Sequence, residues 1–321
     1  MAKINVLITG IGATPGICAA ESLKLKFNSK ELFIVGTDAN LYAAGLYLRK
    51  YVDCGILVER AKNNVNKYID TIKKIVKKYC IDFIMPATDD EILILKKYEN
   101  SIKKDSVIAS DLDTLEICTD QWLTYKTLAS HDIIVKSWLN PNDVSLPCII
   151  KPRQSQGSKN IYTAQNRKEF DILCTKTKNP IFQKLLVADE YTIDCIYNYE
   201  GDLVGAMPRK RILTAGGTSV ITQNVRDEKL INLVKSLSGV LSFRGQINIQ
   251  CIDNKIIEIN PRVGGASILA TYSDINMPAI SLFAWLGKEI KDWYPYKDKV
   301  MTRYFNAVYL QNNQIISDEM I

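Results

Sequence analysis

The sequence predicts an α/β protein in two parts: an N-terminal doubly wound parallel sheet, then a larger half of two α+β lobes built on antiparallel strands. Two observations carry this. The first hundred residues alternate strand-like and helix-like segments, whereas after Lys151 the apolar residues recur with period two and the segments pair as hairpins. The texture changes between them, from Asp120 through the connection Asn140-Pro141-Asn142.

In order, Ile4 to Thr9 is the first apolar run, and Gly10-Ile11-Gly12-Ala13-Thr14-Pro15-Gly16 turns the chain into a helix near Ala19 to Phe27. Leu32 to Gly36 reads as a second strand. Asn66 to Tyr79 sets Ile69, Ile72, Val76 and Tyr79 on one helical stripe, with Lys73, Lys74, Lys77 and Lys78 on the wet side, and Phe83 to Met85 is the buried strand after it. A domain boundary falls near Thr119, giving domains 1–118 and 119–321, the second with a small lobe to about 185 and a large lobe from about 186. In the second half, Tyr191 to Tyr199 pairs with Asp202 to Met207 around Glu200-Gly201, with helices near Arg167 to Lys176 and Glu228 to Ser238.

Composition narrows the function classes. The net charge of +6 comes from dispersed lysines without interleaved aromatics, which speaks against nucleic acid as a partner. No apolar run reaches the ~18 residues of a membrane span, and cytoplasmic residence is the expectation. The eight cysteines stand singly, outside zinc or redox spacings, and one histidine, His131, leaves little room for a triad or a His-rich metal site.

The sharpest local signal is Gly245-Gln246-Ile247-Asn248-Ile249-Gln250-Cys251, a short turn, and Ile256-Ile257-Glu258-Ile259-Asn260-Pro261-Arg262. Period two puts Asn248 and Gln250 on one face of the first strand, and Glu258 and Asn260 on one face of the second. A three-residue loop, Asp253-Asn254-Lys255, pairs Ile252 with Ile256 and brings Gln250 opposite Glu258; a two-residue turn sends the two sets to opposite faces. With the odd-length turn, one carboxylate and several amide oxygens converge on a hard-oxygen site suited to Mg²⁺, with substrate phosphates completing the shell. The alternation alone equally fits a hairpin whose polar face meets water. Arg262 adds a fixed cation for a transferring phosphoryl group, and Gly264-Gly265 allows close backbone approach.

These motifs, in this order, resemble the ATP-grasp superfamily, most of all the synthetase units of the carbamoyl-phosphate synthase large subunit and related carboxylate-amine ligases. The resemblance covers nearly the whole chain, from Val6-Leu7-Ile8-Thr9-Gly10, like the pre-ATP-grasp domain, through Ile149-Ile150-Lys151-Pro152-Arg153 to Glu258-Ile259-Asn260-Pro261-Arg262. It implies an ATP-grasp clamp of two lobes and an ATP-dependent ligase, ADP-forming, that joins a small carboxylate to an amine or thiol through an acyl phosphate. ATP and Mg²⁺, with Mn²⁺ as a substitute, are the implied cofactors, and a homodimer is compatible.

Carried over by position, the resemblance implies Gln250, Glu258 and Asn260 as metal ligands, Arg262 and Lys151 as the catalytic cations, and Gly157 and Ser158 in a flexible phosphate loop. Gln183, Lys184, Leu185 and Leu186 resemble the hinge that reads the adenine edge, and Glu190 the ribose-binding acid. Arg209 and Arg211, before Ala215-Gly216-Gly217-Thr218, resemble a segment that meets substrate and phosphate. Two departures stand out. Thr119-Asp120-Gln121-Trp122 lacks the basic residue many relatives carry after the acid, for which Lys126 is the nearest substitute. Gly265 replaces an arginine of the carbamoyl-phosphate units, which points toward amino-acid ligation. The acceptor is expected near Pro86-Ala87-Thr88-Asp89-Asp90-Glu91, a stretch that also reads as a plain helix start capped by Thr88.

Three other readings remain. One is a single carbamoyl-phosphate-synthase-like unit that phosphorylates a small carboxylate. Another is a dinucleotide enzyme, suggested by Gly10 to Gly16 with Asp38 downstream, although the spacing is one residue longer than the fingerprint. The third is a non-catalytic nucleotide-binding regulator, suggested by Gln121.

Overall fold

In the computed structural model, which describes residues 3–154, 157, 160–310 and 316–317, strand β1 (Ile4–Thr9) runs into helix α1 (Thr14–Lys26). Pro15 sits in the first helical turn, where a missing N–H is harmless, so α1 begins at the glycine-rich turn rather than near Ala19. β2 (Leu32–Asp38), β3 (Cys54–Leu57), α2 (Val65–Lys78) and β4 (Phe83–Pro86) follow, the strands parallel in the order β3-β2-β1-β4. β3, four residues long and without a helical stripe leading into it such as the one before β4, escapes sequence reading. α2 buries Ile69, Ile72 and Ile75, leaves Val76, Tyr79 and Lys73 half-buried, and turns Lys74, Lys77 and Lys78 to solvent.

Helices α3 (Asp89–Lys97), α4 (Glu99–Ile102), α5 (Leu112–Thr119) and α6 (Gln121–Leu128) carry the chain across to the second half. There β5 (Ser137–Trp138), β6 (Cys148–Pro152), β7 (Tyr162–Ala164), α7 (Arg167–Cys174) and β8 (Pro180–Lys184) form a small lobe, its antiparallel sheet ordered β5-β8-β6-β7. The lobe has its own core of Trp138, Cys148, Ile150, Ala164, Phe170 and Phe182.

The large lobe is β9 (Glu190–Tyr197), β10 (Leu203–Ala215), β11 (Thr218–Asn224), α8 (Glu228–Lys235), β12 (Gly245–Ile252), β13 (Lys255–Asn260), α9 (Ile268–Tyr272), α10 (Met277–Trp285) and β14 (Val300–Thr302). Its six strands run β13-β12-β9-β10-β11-β14, and every pairing is antiparallel. A last strand, β15 (Ile316–Ser317), pairs with β3 in parallel, Ile316 opposite Ile56, so the N-terminal sheet takes in a strand from the far end of the chain. A division at residue 118 therefore does not separate the sheets cleanly. The cores do not separate there either: Ile8, Ala19 and Leu23 share a cluster with Val263, Ile268 and Leu282.

Candidate functional site

The β12–β13 hairpin reaches the expected convergence by another route. Ile252 pairs with Lys255, so the turn is the two-residue Asp253-Asn254, with φ values of 50° and 54° that suit a type I′ hairpin, and not the three-residue loop. Cys251 then pairs with Ile256, but Gln250 pairs with Glu258: Ile257 is an extra residue in a β-bulge. The bulge restores what the even turn takes away. Gln250 faces Glu258 and Asn248 faces Asn260. β9 extends the ladder, with Thr192 opposite Gln250 and Asp194 opposite Asn248.

Neither Gln250 nor Glu258 makes a side-chain hydrogen bond or ion pair to another described residue, and both line a cavity of about 370 Å³ together with Asn260 and Arg262. Burial pushes the Glu258 carboxyl above the usual range, against the pull of Lys151, Arg262 and Arg211. Asn260 donates from Nδ2 to Asn248 Oδ1 at 3.3 Å, and its Oδ1 accepts from Arg262 Nη2 at 3.2 Å, leaving one lone pair. Among the described residues no group of three or more His, Cys, Asp or Glu is placed to hold a metal ion. A divalent cation here would rest on one carboxylate, the amide oxygens and oxygens of a bound molecule, a donor set that fits Mg²⁺.

Lys151 is buried on β6 and points inward, its Nζ 3.0 Å from Gln183 Oε1 and 3.3 Å from the Ile257 carbonyl. Burial lowers its ammonium to about 8, with Glu258 opposing. Gln183 is thus engaged through its side chain. In the rest of the hinge, Lys184 N–H donates to the Lys136 carbonyl and Leu185 N–H to the Pro147 carbonyl, while Leu186 is half-buried; these three line neither large cavity.

Arg211 lies 2.9 Å from Glu190 through Nε and donates from Nη2 to the Gly217 carbonyl at 2.9 Å. It lines the cavity, whereas Glu190 does not. Arg209 also lines it but is deeply buried, its Nε on Asp194 Oδ2 at 2.8 Å and its Nη1 on Ser219 Oγ at 3.0 Å. Gly157, at φ +69°, faces the Gly216 carbonyl across the cavity mouth, so loops of the two lobes meet there. Ser158, with Ser155 and Gln156, lies outside the described residues.

Lys126 is exposed on α6 and lines neither large cavity. Arg153 stands beside Asp120 instead: its Nε reaches both carboxylate oxygens at 2.7 Å, while Asp120 caps α6. That pair joins residues 33 positions apart, which no local spacing reveals. A second cavity of similar size, lined by Asp89, Gln121 and Gln154, meets the first at Glu258 and Asn260.

The Gly10 to Gly16 turn serves the first cavity as a wall, through Gly12, Thr14 and Pro15. Asp38 spends its oxygens on the backbone N–H groups of Gly12 and Asn40, at 2.8 Å each, so it organises the loop instead of presenting a free acid to a ribose. The stretch after β4 meets the helix-start expectation only in part. It starts α3, yet the Thr88 hydroxyl donates to Glu91 Oε2 at 2.7 Å rather than capping, and Thr88 lines the cavity.

Comparison with known proteins agrees with this architecture. A family described as "ATP-grasp in the biosynthetic pathway with Ter operon" matches residues 176–308. The carbamoyl phosphate synthase large chain of Clostridium perfringens is 27% identical over 168 residues, which takes in 46% of this chain and only 16% of that one. The crystal structure of N5-carboxyaminoimidazole synthetase from Staphylococcus aureus superposes with a TM-score of 0.71 at 16% identity, covering 93% of this chain and 82% of that one. The biotin carboxylase domain dimer of Hydrogenobacter thermophilus 2-oxoglutarate carboxylase, in complex with MgADP, ADP and bicarbonate, gives 0.70 at 11% identity, covering 90% and 71%. The family match and the relatives make the chain similar to ATP-grasp proteins, and the solved structures share its fold. Among the described residues no helix is long and apolar enough to cross a membrane.

Proposed function

We propose that this chain is an ATP-dependent, ADP-forming ligase that activates a small carboxylate as its acyl phosphate and passes it to an amine. The observation that carries the reading is the pair Gln250 and Glu258, without side-chain partners among the described residues and side by side on the cavity wall, with Arg262 against Asn260. Glu258, Gln250 and Asn260 would hold Mg²⁺, which would supply positive charge to neutralise nucleotide phosphates. Lys151, held from the small lobe against the Ile257 carbonyl next to Glu258, would supply charge to the phosphates; Arg262 stabilises the charge that develops as a carboxylate oxygen attacks the γ-phosphorus and ADP leaves. The amine then attacks the acyl carbon and inorganic phosphate departs.

Gly265 supports an acceptor larger than bicarbonate. A Cβ there would already sit 3.3 Å from Thr218 and 3.6 Å from Thr14, so an arginine at this position would project into the space that glycine leaves open. The regulator reading draws on Gln121, but it leaves the Glu258 and Arg262 arrangement without a use.

Incubation with ATP and Mg²⁺ across a panel of carboxylates and amines should release ADP, not AMP, in the presence of the right pair. Glu258→Gln should abolish that release and keep the native near-ultraviolet circular dichroism. AMP as product, or full turnover in the variant, rejects the assignment.

A further inference from the structure

The contact between Arg262 and Asp89 joins residues 173 positions apart and crosses from the large lobe to the N-terminal sheet domain. Asp89 opens α3 just beyond β4, where Asp89, Asp90 and Glu91 form an acidic first turn. Their partners differ. Asp90 pairs with Lys62 at 2.6 Å on the surface, and Glu91 turns inward to Thr88 and Tyr68. Asp89 faces the site, with Oδ1 accepting from Arg262 Nε at 2.7 Å and Oδ2 from Nη2 at 3.1 Å.

Both side chains are only 15% exposed, which separates this pair from surface ion pairs of little consequence. Two parallel hydrogen bonds also fix the plane of the guanidinium, which one bond would leave free to swing. The rest of the fork is held as well: Nη2 donates to Asn260 Oδ1 at 3.2 Å and Nη1 to the Val263 carbonyl at 3.2 Å. One of five N–H donors, on Nη1, is left for a bound group.

The position of the pair is equally telling. Arg262 lines the first cavity and Asp89 the second, and the two cavities share Glu258 and Asn260. The ion pair is thus part of the wall between them, beside the carboxylate assigned to the metal.

We propose that Asp89 is a positioning residue for phosphoryl transfer, holding Arg262 in the plane from which it meets the transferring group; this rests on the role of Arg262 given above. Asp89 touches no reacting atom. It acts through Arg262 and brings the N-terminal domain into the geometry of the site.

Asp89→Asn keeps size and one hydrogen bond but loses the charge, and should lower kcat for ADP release roughly 10- to 100-fold, with KM for ATP changed less than about threefold. Asp89→Glu should recover part of the loss, since a carboxylate on a longer stem still meets the guanidinium. The sharper test is the double-variant cycle: in an Arg262→Lys background, Asp89→Asn should cost almost nothing further. Additive losses, or unchanged kcat with only a lower melting temperature, make Asp89 a structural residue and overturn the inference. If the unmodified chain releases no ADP with any acceptor, the ligase reading itself fails and the role falls with it, an outcome distinct from an active parent with an indifferent Asp89 variant.

Discussion

Glu91 shows how much one side chain depends on its surroundings. It lies under the glycine-rich turn, accepts from Thr88 Oγ1 and from Tyr68 Oη at 3.0 Å, and is pushed up to about 7 by burial, with the hydrogen bonds from Thr88 and Tyr68 opposing and Asp38 adding to the rise. The native carboxyl therefore keeps its proton to about pH 7, whereas the unfolded chain gives it up near 4.5. Between those values the native state binds more protons, so stability should fall as pH rises from about 4.5 to about 7. Glu91→Gln should flatten that slope, as read from urea midpoints across the range; an identical slope in the variant would show that the carboxyl ionises freely in the fold. In the sequence this residue is only the third acid of a helix start. Its shift comes from burial in the fold, against the hydrogen bond from Tyr68, which lies 23 positions back on α2.

Among the elements, the β12–β13 hairpin is where local reading succeeded in outcome and missed in mechanism. Alternation marks which residues share a face of each strand, but turn length and bulge together set how the strands meet, and the bulge at Ile257 has no signature in its residue types. The segment after the hairpin has a similar dependence. A Cβ on Gly264 would come within 2.8 Å of Asp194 Oδ1, a wholly buried atom held by the Asp194–Arg209 pair and without a hydrogen-bond partner among the described residues. Gly264→Ala should therefore destabilise the fold by about 1–3 kcal/mol through overpacking. Chemical denaturation would measure it, and an unshifted midpoint would mean the strand end yields easily. Glycine is expected here for close approach; what approaches is a buried carboxylate on β9, two strands from β13.

For the whole molecule, the distribution of cores predicts how it comes apart. The small lobe packs around its own cluster, while α1 and the first strand share a core with α9 and α10. The N-terminal domain is consequently not independent: a fragment of residues 1–118 would expose Ile8, Ala19 and Leu23 where Val263, Ile268 and Leu282 now cover them. It should be aggregation-prone or lack dispersed amide resonances, and a well-dispersed spectrum from that fragment would contradict this account. The same packing carries Asp89 to Arg262, so the first domain is tied by an ion pair to the residue just beyond the β12–β13 hairpin.

By itself the sequence determined the succession of parallel and antiparallel halves, the polar face of the hairpin, and the resemblance to ATP-grasp ligases. These follow from the periodicity of neighbours and from short motifs, which are written in consecutive residues. Tertiary structure alone decided the two-residue turn with its compensating bulge, the inward course of Lys151 to Gln183, the place of Arg153 rather than Lys126 beside Asp120, and the return of β15 to the first sheet. Each of those depends on which distant surfaces pack together, a free-energy balance over the whole chain that no local pattern encodes.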